Sequence, residues 1–155
     1  MQRYNYPMPK PNRQPFLVAV HAFFIRDNQV LLLERANSGY MDGYWSVPAG
    51  HVDGGETIWE AMQREIEEET DILIAESLKP AHVMHRMKQT ETEERIDYFF
   101  KVTAWHGTPC NNEPEKCADL CWFKTNELPE KMVPYVQFGL EQVLDGKLFS
   151  EFAEA

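Results

Sequence analysis

Positive charge is scarce in this 155-residue chain. It carries 15 Lys and Arg against 25 Asp and Glu, a formal net charge of −10 at pH 7. That balance argues against a protein that wraps a nucleic-acid polymer or lies on an anionic membrane, since both need a basic face. A small anionic ligand stays possible, because a bound divalent cation reverses the local sign. Long apolar runs are missing too. The longest, Phe16 to Ile25, covers ten residues and contains His21, about half of the ~20 needed to span a bilayer. The opening MQRYNYPMPKPNRQP lacks the apolar centre of a signal peptide, so a cytoplasmic protein is expected. Cysteine is sparse. Cys110, Cys117 and Cys121 are odd in number and lack paired zinc-type spacing, which reads as free thiols in a reducing compartment.

What is present is the composition of a globular domain, 43% hydrophobic and 26% charged. The length favours one domain with a real core, expected over residues 16–155. Residues 1–15 hold four of the ten prolines and read as an extended arm. FLVAVHAFFI reads as a buried strand, Asp27-Asn28 as a turn, and QVLLLER (29–35) as the returning strand of a hairpin. ANSGYMDGY (36–44) is a loop, WSVPAG a short strand, and a helix is expected from about Thr57 to Thr70. HVMHRM, RIDYFFKVTAW and LCWFK follow as strands. Pro134 suits the first turn of a last helix with the stripe Val136, Leu140, Val143 and Leu144, and Gly146 suits its cap. Strands with irregularly interspersed helices predict a mixed α/β or α+β sandwich.

The segment GHVDGGETIWEAMQREIEEETDI (50–72) concentrates the chemistry. Thr57 and Glu60 form a capping-box pattern at the helix start. With Glu65 at zero on a helical wheel, Glu68 falls at about −60°, Glu69 at about +40° and Glu67 at about 200°. Three carboxylates therefore share one arc and the fourth points away. The arc adjoins the apolar stripe of Ile58, Trp59, Met62 and Ile66, so Glu65 and Glu69 leave the helix at the edge of its buried face. Partly buried like charges are costly unless a cation sits among them. Arg64 offsets part of this charge but cannot satisfy all three. A hard divalent cation, which prefers oxygen ligands, can. The turn before the helix is glycine-rich, which allows close backbone approach to a metal or phosphate.

These residues resemble the signature of the Nudix hydrolases: Gly, five residues, Glu, seven residues, then Arg-Glu-aliphatic-any-Glu-Glu-any-Gly-aliphatic. Here the pattern runs through Gly50, Glu56, Arg64, Glu65, Ile66, Glu68, Glu69 and Ile72, matching eight of nine specified positions. Asp71 stands where the family has glycine, at a helix end where Asp tolerates the left-handed conformation better than most residues. The resemblance covers most of residues 16–148 and implies a Nudix α/β/α sandwich with a mixed β-sheet.

It further implies metal-dependent (Mg²⁺ or Mn²⁺) hydrolysis of a diphosphate linked to another moiety. By position, Glu65, Glu68 and Glu69 would hold the metal, helped by the Ala49 carbonyl and by a loop acid, with Glu115 first and Glu113 close behind. Glu56 would buttress the box by pairing with Arg64, and Arg35, at the end of the second strand, would contact substrate phosphates. The expected general base is Glu65, with Glu69 or Glu115 as alternatives. A nucleoside triphosphate is the first choice of substrate, with ADP-ribose, a nucleotide sugar or a dinucleoside polyphosphate as rivals, handled by a monomer or homodimer. Phe23, Phe24, Tyr40, Tyr44, Trp45, Trp122 and Phe123 are candidate base-stacking aromatics, although packing is the ordinary role of each. Asp119 is a candidate for the base edge. His82 and His85, three apart on a strand, read as structural. The reading from a different class is a non-catalytic nucleotide sensor, which would not need Arg64, Glu65, Glu68 and Glu69 together.

Overall fold

The computed structural model describes residues 15–88 and 94–154. Apart from Pro15, the proline-rich arm expected over 1–15 lies outside the described residues. Strands β1 (Phe16–Arg26) and β2 (Gln29–Arg35) form the expected hairpin. Asp27 and Asn28 both have positive φ, 53° and 59°, the two-residue turn whose twist suits the flanking strands. The strands part at once, pairing at Ile25↔Val30 and Arg26↔Gln29. Further along, β1 acquires other neighbours. It pairs in parallel with β6 (Glu94–Val102), from Phe16 to Phe24. The short β4 (Ala49–His51) lies antiparallel to it, with His21 opposite Ala49.

WSVPAG is therefore not one strand. β3 (Trp45–Ser46) pairs with β2, while β4 pairs with β1. Val47 and Pro48 carry the chain between them. Pro48 has no N–H for a ladder, and its carbonyl accepts from Ala22 N–H at 2.9 Å. Three more strands complete the sheet: β5 (His82–Lys88) antiparallel to β6, β7 (Cys117–Lys124) antiparallel to β2, and β8 (Phe149–Glu154) parallel to β5. RIDYFFKVTAW stops being strand at Val102, and the strand expected at LCWFK begins three residues earlier, at Cys117 in place of Leu120. β8 is absent from the sequence reading; FSEFAE has no β-branched residue and follows a helix cap.

Helix α1 (Ile58–Thr70) opens with the full capping box, Thr57 and Glu60 each bonding the other's backbone N–H. Helix α2 (Pro134–Leu144) starts on proline as expected. Its buried stripe is Val136, Leu140 and Val143, whereas Leu144 is exposed. The helix lies very close to the sheet at Gly139, where an added Cβ would stand 2.7 Å from the Phe99 ring. Two apolar clusters fill the two faces. Phe23, Met84 and Phe99 pack with the α2 stripe. Val20, Ala22, Phe24 and Phe100 pack with Ala61, Met62 and Ile66 of α1. Strand β1 is covered on both sides, which is why its sequence is a continuous apolar run without alternation. The result is a mixed sheet between two helices, the expected architecture.

Candidate active site

Glu67 and Glu68 are both exposed, while Glu65 and Glu69 are half-buried against β4. Glu69 Oε2 accepts from Ala49 N–H at 2.8 Å. Burial pushes its carboxyl well above the ordinary value; the Ala49 amide opposes this, and the charges of Glu65, Glu113 and Glu68 add to it. Burial also raises Glu65, partly offset by Arg64. Glu65 lies directly against Gly50, where an added Cβ would be 2.0 Å from Glu65 Oε1.

Arg64 ties the box together. Its Nε and Nη2 donate to the two Glu56 oxygens at 3.1 and 2.8 Å. Nη1 donates to Glu65 at 2.7 Å, and Nη2 also reaches the His51 carbonyl at 3.0 Å. Glu68 is 3.6 Å from Nη1. Hydrogen bonds from Arg64 and the Asp53 amide hold Glu56 below the usual carboxylate range. The Glu56–Arg64 pair expected from the sequence is present.

The end of α1 explains both the missing glycine and the loop acid. Asp71 adopts the left-handed conformation, φ 58°, and its N–H caps the Glu67 carbonyl. Asn112 donates from its side chain to the Glu68 carbonyl at 3.0 Å and from its backbone to the Glu69 carbonyl at 3.2 Å. Cys110 N–H takes the Thr70 carbonyl at 3.0 Å. Carbonyls that a helix end leaves unpaired are thus satisfied by this loop. Docking the loop brings the charge of Glu113 to bear on Glu65 and Glu69. Glu115, the favoured loop acid, is exposed and not among the charges acting on them; its carbonyl accepts from Asn37 at 2.8 Å. Of the two loop acids, Glu113 is the one whose charge acts on Glu65 and Glu69. Among the described residues, no three His, Cys, Asp or Glu side chains stand as a ready-made metal cage; Glu65 and Glu69 are instead engaged by Arg64 and the Ala49 amide.

A cavity of about 370 Å³ opens beside the box, bounded by Ala49, Gly50 and His51 of β4. Arg35 reaches it from the end of β2, held by the Tyr40 carbonyl at 2.8 Å and Ser38 Oγ at 3.0 Å. Apart from Tyr40, the rest of the lining was not foreseen: Ala19 and His21 from β1, Arg86 from β5, Arg95 from β6 and Tyr135 from α2. Beneath it lies a buried polar network. Asp97, fully buried, accepts from Arg86 at 2.8 and 3.1 Å and bonds His21 Nε2 at 2.9 Å. The Arg86 guanidinium stacks 3.6 Å from the Tyr135 ring centroid. His51 Nε2 bonds Arg95 Nη1 at 2.7 Å, and burial together with that guanidinium holds the imidazole below its usual range. A sequence signal did exist, since His21 and Asp97 are polar residues interrupting apolar strands.

Of the candidate aromatics, Tyr40 lines this cavity. Phe23 and Phe24 are core. Trp45 packs edge-on against Phe123, Tyr44 lies against the α2 core, and Trp122 stacks on Trp105. Asp119 sits on β7 with its carboxylate on Leu120 N–H and Cys121, outside the cavity lining. His82 is buried on the Lys147 carbonyl and Ser150, while His85 meets Glu94, so the two are structural and apart, as expected. The three cysteines are free.

The NUDIX domain family model matches residues 15–141. Nudix hydrolase 5 of Arabidopsis thaliana is 33% identical over 96 residues, 61% of this chain and 31% of that protein. An ADP-ribose pyrophosphatase of Methanocaldococcus jannaschii is 43% identical over 56 residues, 36% of this chain and 32% of that one. The chain thus spans about a third of the length of these curated relatives. Among solved structures, a MutT NUDIX hydrolase from Burkholderia pseudomallei superposes with a TM-score of 0.76 at 30% identity, covering 83% of this chain and 98% of that one. With the domain matched over most of its length and the same fold around it, the chain belongs to the NUDIX family.

Proposed function

We propose that residues 16–155 act as one metal-dependent hydrolase that cleaves a diphosphate linkage in a nucleoside triphosphate or a related nucleoside diphosphate derivative. The observation that carries this reading is the seating of two glutamates on β4, Glu69 on the Ala49 amide and Glu65 against Gly50, with Glu68 beside them at Arg64 and an arginine-lined cavity adjoining. Glu69 is half-buried with an amide as its hydrogen-bond partner, and Arg64 is committed to Glu56 and Glu65. Such an oxygen-only donor set fits a hard cation, Mg²⁺ or Mn²⁺. Glu65, Glu68, Glu69 and the Ala49 carbonyl would hold it, with Glu113 as the loop acid. A bound divalent cation supplies charge neutralisation for the diphosphate and acidifies the attacking water.

The chain's own work is then positioning and proton transfer, which suits phosphoryl chemistry. Glu65, lying against Gly50 at the cavity edge, takes the water's proton as the water oxygen bonds to phosphorus and the anhydride P–O bond breaks. Glu69 is the alternative base. Arg35 meets the phosphates, and Arg64 fixes Glu65 in place. The test is a phosphate and pyrophosphate release screen with Mg²⁺ over nucleoside triphosphates, ADP-ribose, nucleotide sugars and dinucleoside polyphosphates. At least one substrate turns over, and Glu65→Gln or Glu69→Gln lowers its rate by on the order of 10²-fold or more while the fold persists. Silence across the panel, with Mg²⁺ still bound, would overturn the reading in favour of a nucleotide sensor.

A further inference from the structure

A second cavity, also of about 370 Å³, opens on the α1 face of the sheet, past the ends of β1 and β6. It shares no lining residue with the cavity beside the box. Ile74, Leu78 and Trp105 give it an apolar wall continuous with the α1-side core. Gln63 of α1 donates to the Ile74 carbonyl at 3.3 Å and ties that wall to the helix. Arg26, Glu76 and His106, all exposed, bring polar groups to the lining. Arg26 is held in an unusual way. Its Cζ lies 5.3 Å from the Trp105 ring centroid and 5.1 Å from that of Trp122. The two indoles stack on each other with 5.9 Å between centroids, and Trp105 meets the core edge-on at Phe24. Cation–π contact holds a guanidinium without using its N–H donors. Among the described residues, no hydrogen bond or ion pair engages the Arg26 side chain.

We propose that this cavity binds a small carboxylate with an apolar body. Its volume falls within the roughly 300–1,000 Å³ of small-molecule pockets, which combine an apolar lining with a few placed polar groups. The planar fork of Arg26 matches a carboxylate oxygen for oxygen, and the rings that hold it reduce the freedom lost on binding. Ile74, Leu78 and Trp105 take the apolar body. A phosphate dianion fits less well, because Glu76 shares the lining and would oppose its second charge. The site is independent of the hydrolase reading and uses none of its residues.

The experiment titrates the ¹⁵N-labelled protein in EDTA with 3-phenylpropanoate and with 3-phenylpropanamide, which share one body and differ in charge. The indole N–H signals of the tryptophans report where each ligand sits. 3-Phenylpropanoate shifts the Trp105 signal saturably and leaves Trp45, which packs against Phe123 on the other face, in place. It binds about fivefold or more tightly than the amide, as charge-assisted hydrogen bonds require. Arg26→Gln shrinks that preference to about twofold or less. Arg26→Lys keeps the charge, loses the fork and falls between, and it carries the test should Arg26→Gln disturb the fold. No saturable shift at Trp105, equal affinity for acid and amide, or an undiminished preference in both variants would overturn the proposal. The titration needs neither metal nor turnover, so its failure leaves the hydrolytic reading standing, and silence in the release screen leaves this site standing.

Discussion

Gly50→Ala separates the placement of Glu65 from the stability of the fold. The substitution is allowed by the backbone, since Gly50 is not among the glycines with positive φ. The obstacle is contact. A Cβ there would stand 2.0 Å from Glu65 Oε1 and 2.1 Å from its Cδ, whereas ordinary contact begins at 3.4 Å, so the carboxylate must retreat by about 1.4 Å. Retreat breaks the 2.7 Å ion pair with Arg64, which is itself partly exposed, a loss of about 1 kcal/mol. Alanine in place of glycine restricts the unfolded chain and offsets about 0.4–1 kcal/mol of that. Stability should therefore change by less than about 1 kcal/mol. Activity should not be spared, because misplacing a reacting group by about 1 Å costs on the order of 10²-fold in rate. The two readouts are urea denaturation and kcat on whichever substrate the release screen identifies. Wild-type kcat in folded Gly50→Ala protein would refute the role given to Glu65, and a stability loss above about 3 kcal/mol would refute the packing argument.

Other consequences follow from the same geometry. Glu113→Gln weakens Mg²⁺ binding on the order of tenfold by calorimetry, while Glu115→Gln leaves it unchanged within error; the reverse ranking would restore Glu115 to the site. In EDTA, burial of Glu69 raises its carboxyl above the ordinary 4.5. The folded state then binds that proton more tightly than the unfolded one, so this contribution to stability is full below pH 4.5 and is lost as pH rises through the folded value. Glu69→Gln should flatten that decline in denaturation midpoints, and an unaltered slope would contradict it. Asp97 behaves oppositely. Burial acts against its charge, yet His21 and Arg86 hold it below its ordinary 3.8, so its contribution is present above pH 3.8 and is lost as pH falls through the depressed folded value. Asp97→Ala removes the buried carboxylate that Arg86 and His21 share and should cost about 3–5 kcal/mol in urea denaturation.

What could be read from the sequence was what local spacing controls. A helical wheel distinguishes Glu67 from Glu65, Glu68 and Glu69 because the 3.6-residue period needs no knowledge of the rest of the fold. Capping at Thr57 and the turn at Asp27-Asn28 are local in the same sense. The parts that spacing leaves open depend on partners far along the chain. His21 and Asp97 meet across 76 residues, and no spacing rule connects β1, β5, β6 and α2 into one cavity wall. Glu113 and Glu115 share a loop and differ by two positions. What separates them is the docking of Asn112 onto the end of α1, a tertiary contact. The break at Val47-Pro48 was legible in principle, since proline interrupts a ladder.

β4 shows why so little sequence suffices to organise the site. Its three residues face three different demands. Ala49 gives its amide to Glu69, which takes that N–H out of the sheet ladder and fixes the deepest carboxylate. Gly50 removes the Cβ that would displace Glu65. His51 binds Arg64 through its carbonyl and Arg95 through its ring, one guanidinium on the acidic side and one on the basic side. The strand can serve both sides because Pro48 releases it from β2 and delivers it to β1, where successive residues face opposite ways. Acidic box and basic cavity therefore share a wall three residues long.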